Sequence, residues 1–155
     1  MSHRFTLLAA LFFGMIVWPV TKSVAGPTES LPLTPWPTSI DVQPGTLDLP
    51  AVGRIVVSDA LLKPLANILS DEIERATGKT IPVASGPANP GDIALILQSD
   101  RKPDSYALAV TDRVSITGRD YDSIAMGTVT LLQAIKSDAG RLAVPKMTVN
   151  DAPPL

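Results

Sequence analysis

The chain has 155 residues, with 13 Lys or Arg against 15 Asp or Glu, 45% hydrophobic and only 5% aromatic side chains. That is enough for one ordinary domain with one core and not for two. It holds no cysteine and its single histidine is His3, which excludes disulfides, thiol nucleophiles, imidazole acid–base chemistry and the commonest zinc sites from the body of the chain.

Met1 to Arg4 is short and carries Arg4, and Phe5 to Trp18 is apolar apart from Thr6 and Gly14. Ser23-Val24-Ala25 then offers small residues where a signal peptidase reads. This is the layout of a secretion signal, expected as residues 1–25 with cleavage after Ala25. The apolar run is shorter than the roughly 20 residues a membrane-spanning helix needs. The expectation is therefore a secreted or periplasmic protein. Arg4 and Lys22 leave with the signal, taking the basic count from 13 to 11 against 15 acids, a net −4. Nucleic acid and anionic membrane surfaces are poor partners for such a chain.

Residues 26–37 form a Pro-rich lead-in with Pro27, Pro32, Pro35 and Pro37, a composition that favours extended chain. Trp36, between two of these prolines, reads either as a ligand for a partner's groove or as the cover of a core edge. From Thr38 the alternation of Ile40 with Val42, the Pro44-Gly45 turn and the repeat at Leu47 and Leu49 predict a hairpin or two short edge strands. Ile55-Val56-Val57 is a β-branched run and predicts a buried strand.

Leu61, Leu65, Ile68, Leu69, Ile73 and Ala76 recur at helical spacing, with Lys63, Asn67, Ser70, Asp71, Glu74 and Arg75 on the other side. Asp59 is a tempting cap, but it places Pro64 one turn inside the helix, where its ring clashes. The regular helix is therefore expected from about Leu62, with Pro64 in its first turn and Gly78 as its left-handed end.

A short strand is expected over Ile81–Ala84 and a central one within Asp92–Gln98, where Ile93 to Leu97 is continuously apolar. Tyr106–Val110 and Val114–Thr117 alternate cleanly across a short joint, which predicts an antiparallel hairpin. A second helix is expected from Asp122 to Ser137, with Ile124, Thr128, Leu131, Leu132 and Ile135 inward and Asp120 and Asp122 at its positive end. A last strand over Val144–Val149 leads to an exit segment. The order implies an α+β two-layer sandwich over 38–151, a mostly antiparallel sheet with two helices on one face.

Carboxylates are the only catalytic candidates. Asp112, Asp120, Asp122 and Asp151 lie near strand or helix ends, where a glycosidase pair or an oxygen-ligand metal site would be built. Asp is equally at home in turns and helix starts for backbone reasons, and no spacing here is specific. Ser58, Ser123 and Thr130 lack a histidine base, Gly118 and Gly127 form no phosphate loop, and nothing points to Lys79 or Lys146 as bases. No catalytic, cofactor-binding or metal residue is assigned.

The ordered series Tyr106-Ala107-Leu108-Ala109-Val110, Val114-Ser115-Ile116, the helix from Met126 to Ile135 with Thr130-Leu131-Leu132-Gln133, Val144-Pro145 and Asp151-Ala152-Pro153 resembles the N-terminal, non-catalytic domain of glycoside hydrolase family 20, the bacterial β-N-acetylhexosaminidases and chitobiases. Leu33 to Asp41 resembles the family's Pro-rich opening, and Leu69 to Gly78 its first helix. The likeness covers residues 31–154, with Ala125-Met126 standing where the family often has aromatics. It implies that a (β/α)8 barrel of about 250 residues follows the Asp-x-Pro exit and carries the Asp–Glu pair that works with the substrate's acetamido group. Residues 152–155 read as the start of the linker to that barrel, and no catalytic position maps onto this sequence. The expected partner is a glycosidase catalytic barrel, with N-acetylglucosamine-containing glycans as further ligands and the chain inactive alone. A stand-alone carbohydrate- or partner-binding domain of the cell envelope is the alternative, and a small hydrolase using Asp112, Asp120 or Asp122 is a third reading.

Overall fold

A computed structural model describes residues 31–49, 53–138 and 141–152. The expected signal over 1–25, the first lead-in residues and the linker beyond Ala152 lie outside the described residues. The elements in chain order are strand β1 (Ser39–Leu49), β2 (Ile55–Val57), a single 3-10 turn (Ala60–Leu62), helix α1 (Lys63–Thr77), β3 (Val83–Ser85), β4 (Ile93–Leu97), β5 (Tyr106–Val110), β6 (Val114–Gly118), α2 (Tyr121–Ala134), β7 (Lys136–Asp138) and β8 (Arg141–Asp151). They build one mixed sheet in the order β1-β8-β5-β6-β4-β2-β3, with β7 also pairing β8.

The sheet has two halves. β1, β8, β5 and β6 pair antiparallel, as the alternating sequences predict. β6, β4, β2 and β3 pair parallel, and Ile55–Val57 and Ile93–Leu95 are buried at every position, as the continuous apolar strands of parallel sheets are. Ile55, Val57, Ile93, Leu95, Leu108, Ile116 and Val149 point to the helical face by their register. There they join Leu65, Leu69 and Ile73 of α1 and Ile124 and Leu131 of α2 in one core. Both helices lie on this face and touch each other.

Helix α1 starts as its proline dictates. Asp59 accepts a hydrogen bond from Leu61 N at 2.8 Å and so caps the 3-10 turn. Pro64 then falls in the first α-turn, where its missing N–H costs nothing. Gly78 ends the helix at φ 70°, a conformation that glycine adopts without strain.

Four expectations change. Residues 39–49 form one strand instead of a hairpin or two strands. β8 is long enough to pair with both halves, and the register shifts between Val42 and Thr46, so Pro44 and Gly45 (φ 97°) form a bulge instead of a turn. A bulge also excuses a proline that has no N–H to give the ladder. Helix α2 ends at Ala134 and not Ser137, because Ile135 is already extended (φ −66°, ψ 127°) and Lys136–Asp138 pair with β8. The final strand is correspondingly longer, Arg141–Asp151. Leu61 and Ile68, expected in the core, are 72% and 52% exposed.

Gly118 and Gly127 hold α2 close to the sheet. A Cβ at Gly127 would overlap Ile116 Cγ2 and come within 3.1 Å of Tyr106 Cδ2. A Cβ at Gly118 would meet Ile124 Cγ1 at 2.8 Å and Ser123 Cβ at 2.9 Å. Beside this contact Tyr106 Oη and Thr130 Oγ1 share a buried hydrogen bond of 2.6 Å, which satisfies two groups that would be costly to bury alone.

Candidate functional site

Of the carboxylates singled out in the sequence, Asp112, Asp120 and Asp151 are engaged in local hydrogen bonds. Asp120 caps α2, accepting from Ser123 N at 2.8 Å and from the Ser123 hydroxyl. Those hydrogen bonds hold its carboxyl below the ordinary range. Asp112 sits in the exposed β5–β6 turn, where the Arg113 guanidinium lowers its pKa. Asp122 lies in the first turn of α2. Asp151, at the end of β8, accepts from Thr38 N at 3.0 Å and Thr38 Oγ1 at 2.8 Å. Ser58 Oγ accepts from Leu97 N, Ser123 bonds to Asp120, and Thr130 bonds to Tyr106. Among the described residues, no group of three or more His, Cys, Asp or Glu is placed to hold a metal ion. Apart from Asp122, which has no bond of this kind, these acids and hydroxyls serve turns, caps and strand ends.

Two features remain. The first is an exposed apolar set on the helices: Leu61, Ile68, Tyr121, Met126 and Val129. Leu61 is exposed in the 3-10 turn that leads into α1 and Ile68 on α1 itself, while Leu65, Leu69 and Ile73 face the core. Met126 and Val129 lie three residues apart on α2, opposite Ile124 and Leu131. Side chains of this size repeated along the outward sides of two touching helices differ from scattered surface apolars, because burying them needs a partner surface.

The second is the junction where the described chain begins and ends. Gln133, one turn beyond Val129, grips Thr34 at both backbone groups. Its Oε1 accepts from Thr34 N and its Nε2 donates to Thr34 O, each at 2.9 Å. Thr38 bonds Asp151 and also donates to Ala152 O at 3.1 Å. The lead-in is thus tied to α2 and to the end of β8. Trp36, in the tied segment, stays 59% exposed. Pro37 beside it is buried. Next to the junction is an open cleft of about 460 Å³ walled by Thr38, Ser39, Gln98, Asp100, Arg101, Lys102, Ser105, Asn150, Asp151 and Ala152.

Sequence reasoning missed the Arg54–Asp92 pair. Asp92 is 3% exposed. Arg54 Nη2 reaches Oδ2 at 2.6 Å, Arg54 N donates to Oδ1 at 3.0 Å and Asn89 N to Oδ2 at 2.8 Å. Burial pushes this carboxyl up, but the Arg54 and backbone hydrogen bonds outweigh it and bring it below its ordinary 3.8. Arg54 also donates to Pro87 O, and Arg113 to Ala88 O, so two arginines staple the β3–β4 connection. Nothing local marked Asp92, because its partner lies 38 residues away.

The sequence model of a family described as Glycosyl hydrolase family 20, domain 2, matches residues 30–152. No curated protein matches. Among solved structures, the chain is similar to an exo-β-N-acetylglucosaminidase of that family from Vibrio harveyi, at 19% identity and a TM-score of 0.70 over 79% of this chain and 19% of that one. It is similar to the β-N-acetylhexosaminidase of Streptomyces coelicolor A3(2), at 24% identity and 0.67 over 76% of this chain and 25% of that one. The Streptomyces plicatus N-acetyl-β-hexosaminidase gives 25% identity and 0.65 over 76% and 25%. The chain thus spans a quarter or less of the length of each of these enzymes.

Proposed function

Because the chain belongs to glycosyl hydrolase family 20, domain 2, a non-catalytic N-terminal domain, we propose that it is the accessory domain of an exported β-N-acetylhexosaminidase-like glycoside hydrolase. In this reading its helical face packs on a catalytic barrel and the domain has no hydrolytic activity of its own. The observation that carries the docking is the exposed set Leu61, Ile68, Met126 and Val129 on adjoining helices. A surface of that kind favours a dry, apolar contact over a sugar or nucleic acid. The carboxylates support the lack of activity, since Asp112, Asp120 and Asp151 are committed to a turn, a cap and a strand end.

Export rests on the sequence of residues 1–25. No helix among the described residues is long and apolar enough to cross a membrane.

Three measurements test the reading. The purified chain releases no product from aryl N-acetyl-β-glucosaminides and gives no binding heat with chitin oligosaccharides. Turnover that tracks the protein through purification overturns it, and saturable heat favours the sugar-binding alternative. The free domain also enhances the fluorescence of a hydrophobic dye, and the double variant I68S/V129S removes most of that signal without lowering the melting temperature. An unchanged signal refutes the helical face as the apolar contact.

A further inference from the structure

Residues 31–38 belong to no helix or strand, yet they are held at four places along their course. Leu31 and Leu33 are buried in the core, and Leu33 N donates to Leu31 O at 2.9 Å. The Gln133 carboxamide binds both backbone groups of Thr34, at 2.9 Å each. Pro37 is buried. Thr38 donates from its N–H and its hydroxyl to Asp151 Oδ1 at 3.0 and 2.8 Å, and from the hydroxyl to Ala152 O at 3.1 Å. The two clasps use different elements: Gln133 stands in the last turn of α2 and Asp151 at the end of β8.

Each clasp is made of solvent-exposed hydrogen bonds, which one by one add little net stability. What joins them is the segment between. Pro35 and Pro37 have φ fixed by their rings, and Thr34 and Trp36 each precede a proline, which narrows their backbone as well. Four consecutive residues thus have little freedom to lose, so closing one clasp brings the other to its partner at small entropic cost. A flexible linker of the same length would let the two open separately. At the far end, Ala152 pairs in neither the β1 nor the β5 ladder of β8, and its carbonyl accepts from Thr38.

We propose that residues 31–38 act as one strap, in which the Gln133 and Asp151 clasps open and close together, and that the closed strap is what orders Ala152 beyond β8. Leu31 and Leu33 are its root, so opening releases residues 34–38 and leaves the core intact. A change in the last turn of α2 is thereby felt past the end of β8, through a segment about a hundred residues away from both in sequence. The inference stands on these bonds and is independent of the docking proposed for the helical face.

The test is amide hydrogen exchange of the 15N-labelled full chain by NMR, read at positions 34, 38 and 149, with the backbone order parameter at Ala152. Q133L removes the carboxamide and keeps the volume, T38V removes the hydroxyl and keeps the shape, and T38S keeps the hydroxyl. Q133L is expected to speed exchange about ten-fold at Thr34 and by the same factor at Thr38, whose own partners it leaves untouched. T38V likewise speeds position 34 as much as position 38, while T38S stays close to the parent at both. Val149, buried between Ile40 and Leu108, keeps its parent rate in all three variants, which separates strap opening from global unfolding. At Ala152 the order parameter falls from about 0.85 to below about 0.6 in T38V and holds in T38S. The proposal is overturned if either variant speeds only its own clasp, if Val149 accelerates by the same factor, or if Ala152 stays ordered in T38V or is already disordered in the parent.

Discussion

Gly127→Ala separates two physical effects of opposite sign. Gly127 lies inside α2, where alanine gains about 1 kcal/mol of helix propensity over glycine. Propensity alone therefore predicts a stabilised variant. The packing predicts the reverse. The new methyl would overlap Ile116 Cγ2 and lie 3.1 Å from Tyr106 Cδ2. Neither neighbour can yield easily: Ile116 is 0% and Tyr106 3% exposed, and the ring is held by the 2.6 Å bond to Thr130. Forcing a methylene-sized group into a filled core costs about 1–3 kcal/mol, and with two fixed neighbours the upper end applies. The net is a loss of about 2 kcal/mol, or a fall of about 8 °C in melting temperature for a domain of this size. Urea and thermal denaturation of the purified domain measure it directly. Gly78→Ala is the control, because its Cβ meets nothing within 4 Å; only the strain of φ 70° remains, about 1 kcal/mol. A G127A protein equal to or more stable than the parent refutes the close approach of α2 to β5 and β6.

Asp92→Ala leaves the Arg54 and Asn89 backbone N–H groups unpaired and takes from the Arg54 guanidinium its carboxylate, leaving it only Pro87 O; it is expected to cost about 3 kcal/mol in urea unfolding. Because the folded pKa of Asp92 lies below 3.8, its contribution is fully present above that value and is lost as pH falls through the folded pKa. The stability of D92N should therefore fall less steeply in acid than that of the parent. Asp120 has the same sign, so the slope flattens without vanishing. Tyr106→Phe removes the shorter of the two hydrogen bonds of Thr130 Oγ1, leaving the 3.3 Å one to Met126 O, and lowers stability by about 1 kcal/mol, with no change in the circular dichroism of the folded state.

Fold class was legible because the apolar periods carry it. The 3.6-residue spacing of Leu65, Leu69 and Ile73 and the two-residue alternation of Tyr106, Leu108 and Val110 are each local signals that sit on the buried side of their elements. Pro64 and Gly78 set the ends of α1 through chemistry confined to one turn. The Pro44–Gly45 bulge was not legible as such. The same dipeptide serves a turn or a bulge, and what decides is β8, about a hundred residues away, whose length offers both halves one partner. The end of α2 was misplaced for a similar reason, since Lys136–Asp138 leave the helix to pair with β8.

The same division applies to the functional surfaces. Sequence alone determined the absence of cysteine and mid-chain histidine, the α+β class and the family-like series from Tyr106 to Asp151, all properties of residue type and near-neighbour spacing. It could not separate Leu61 and Ile68 from the core residues beside them, because a helical stripe says which residues are apolar and not how wide a strip the sheet covers. Nor could it bring Thr38 to Asp151, Thr34 to Gln133 or Arg54 to Asp92, contacts spanning 113, 99 and 38 residues. Those depend on the sheet order that places β1 beside β8 and β2 beside β4. Only the tertiary structure decided which apolar side chains are left for a partner, because exposure is a property of what the rest of the chain fails to cover.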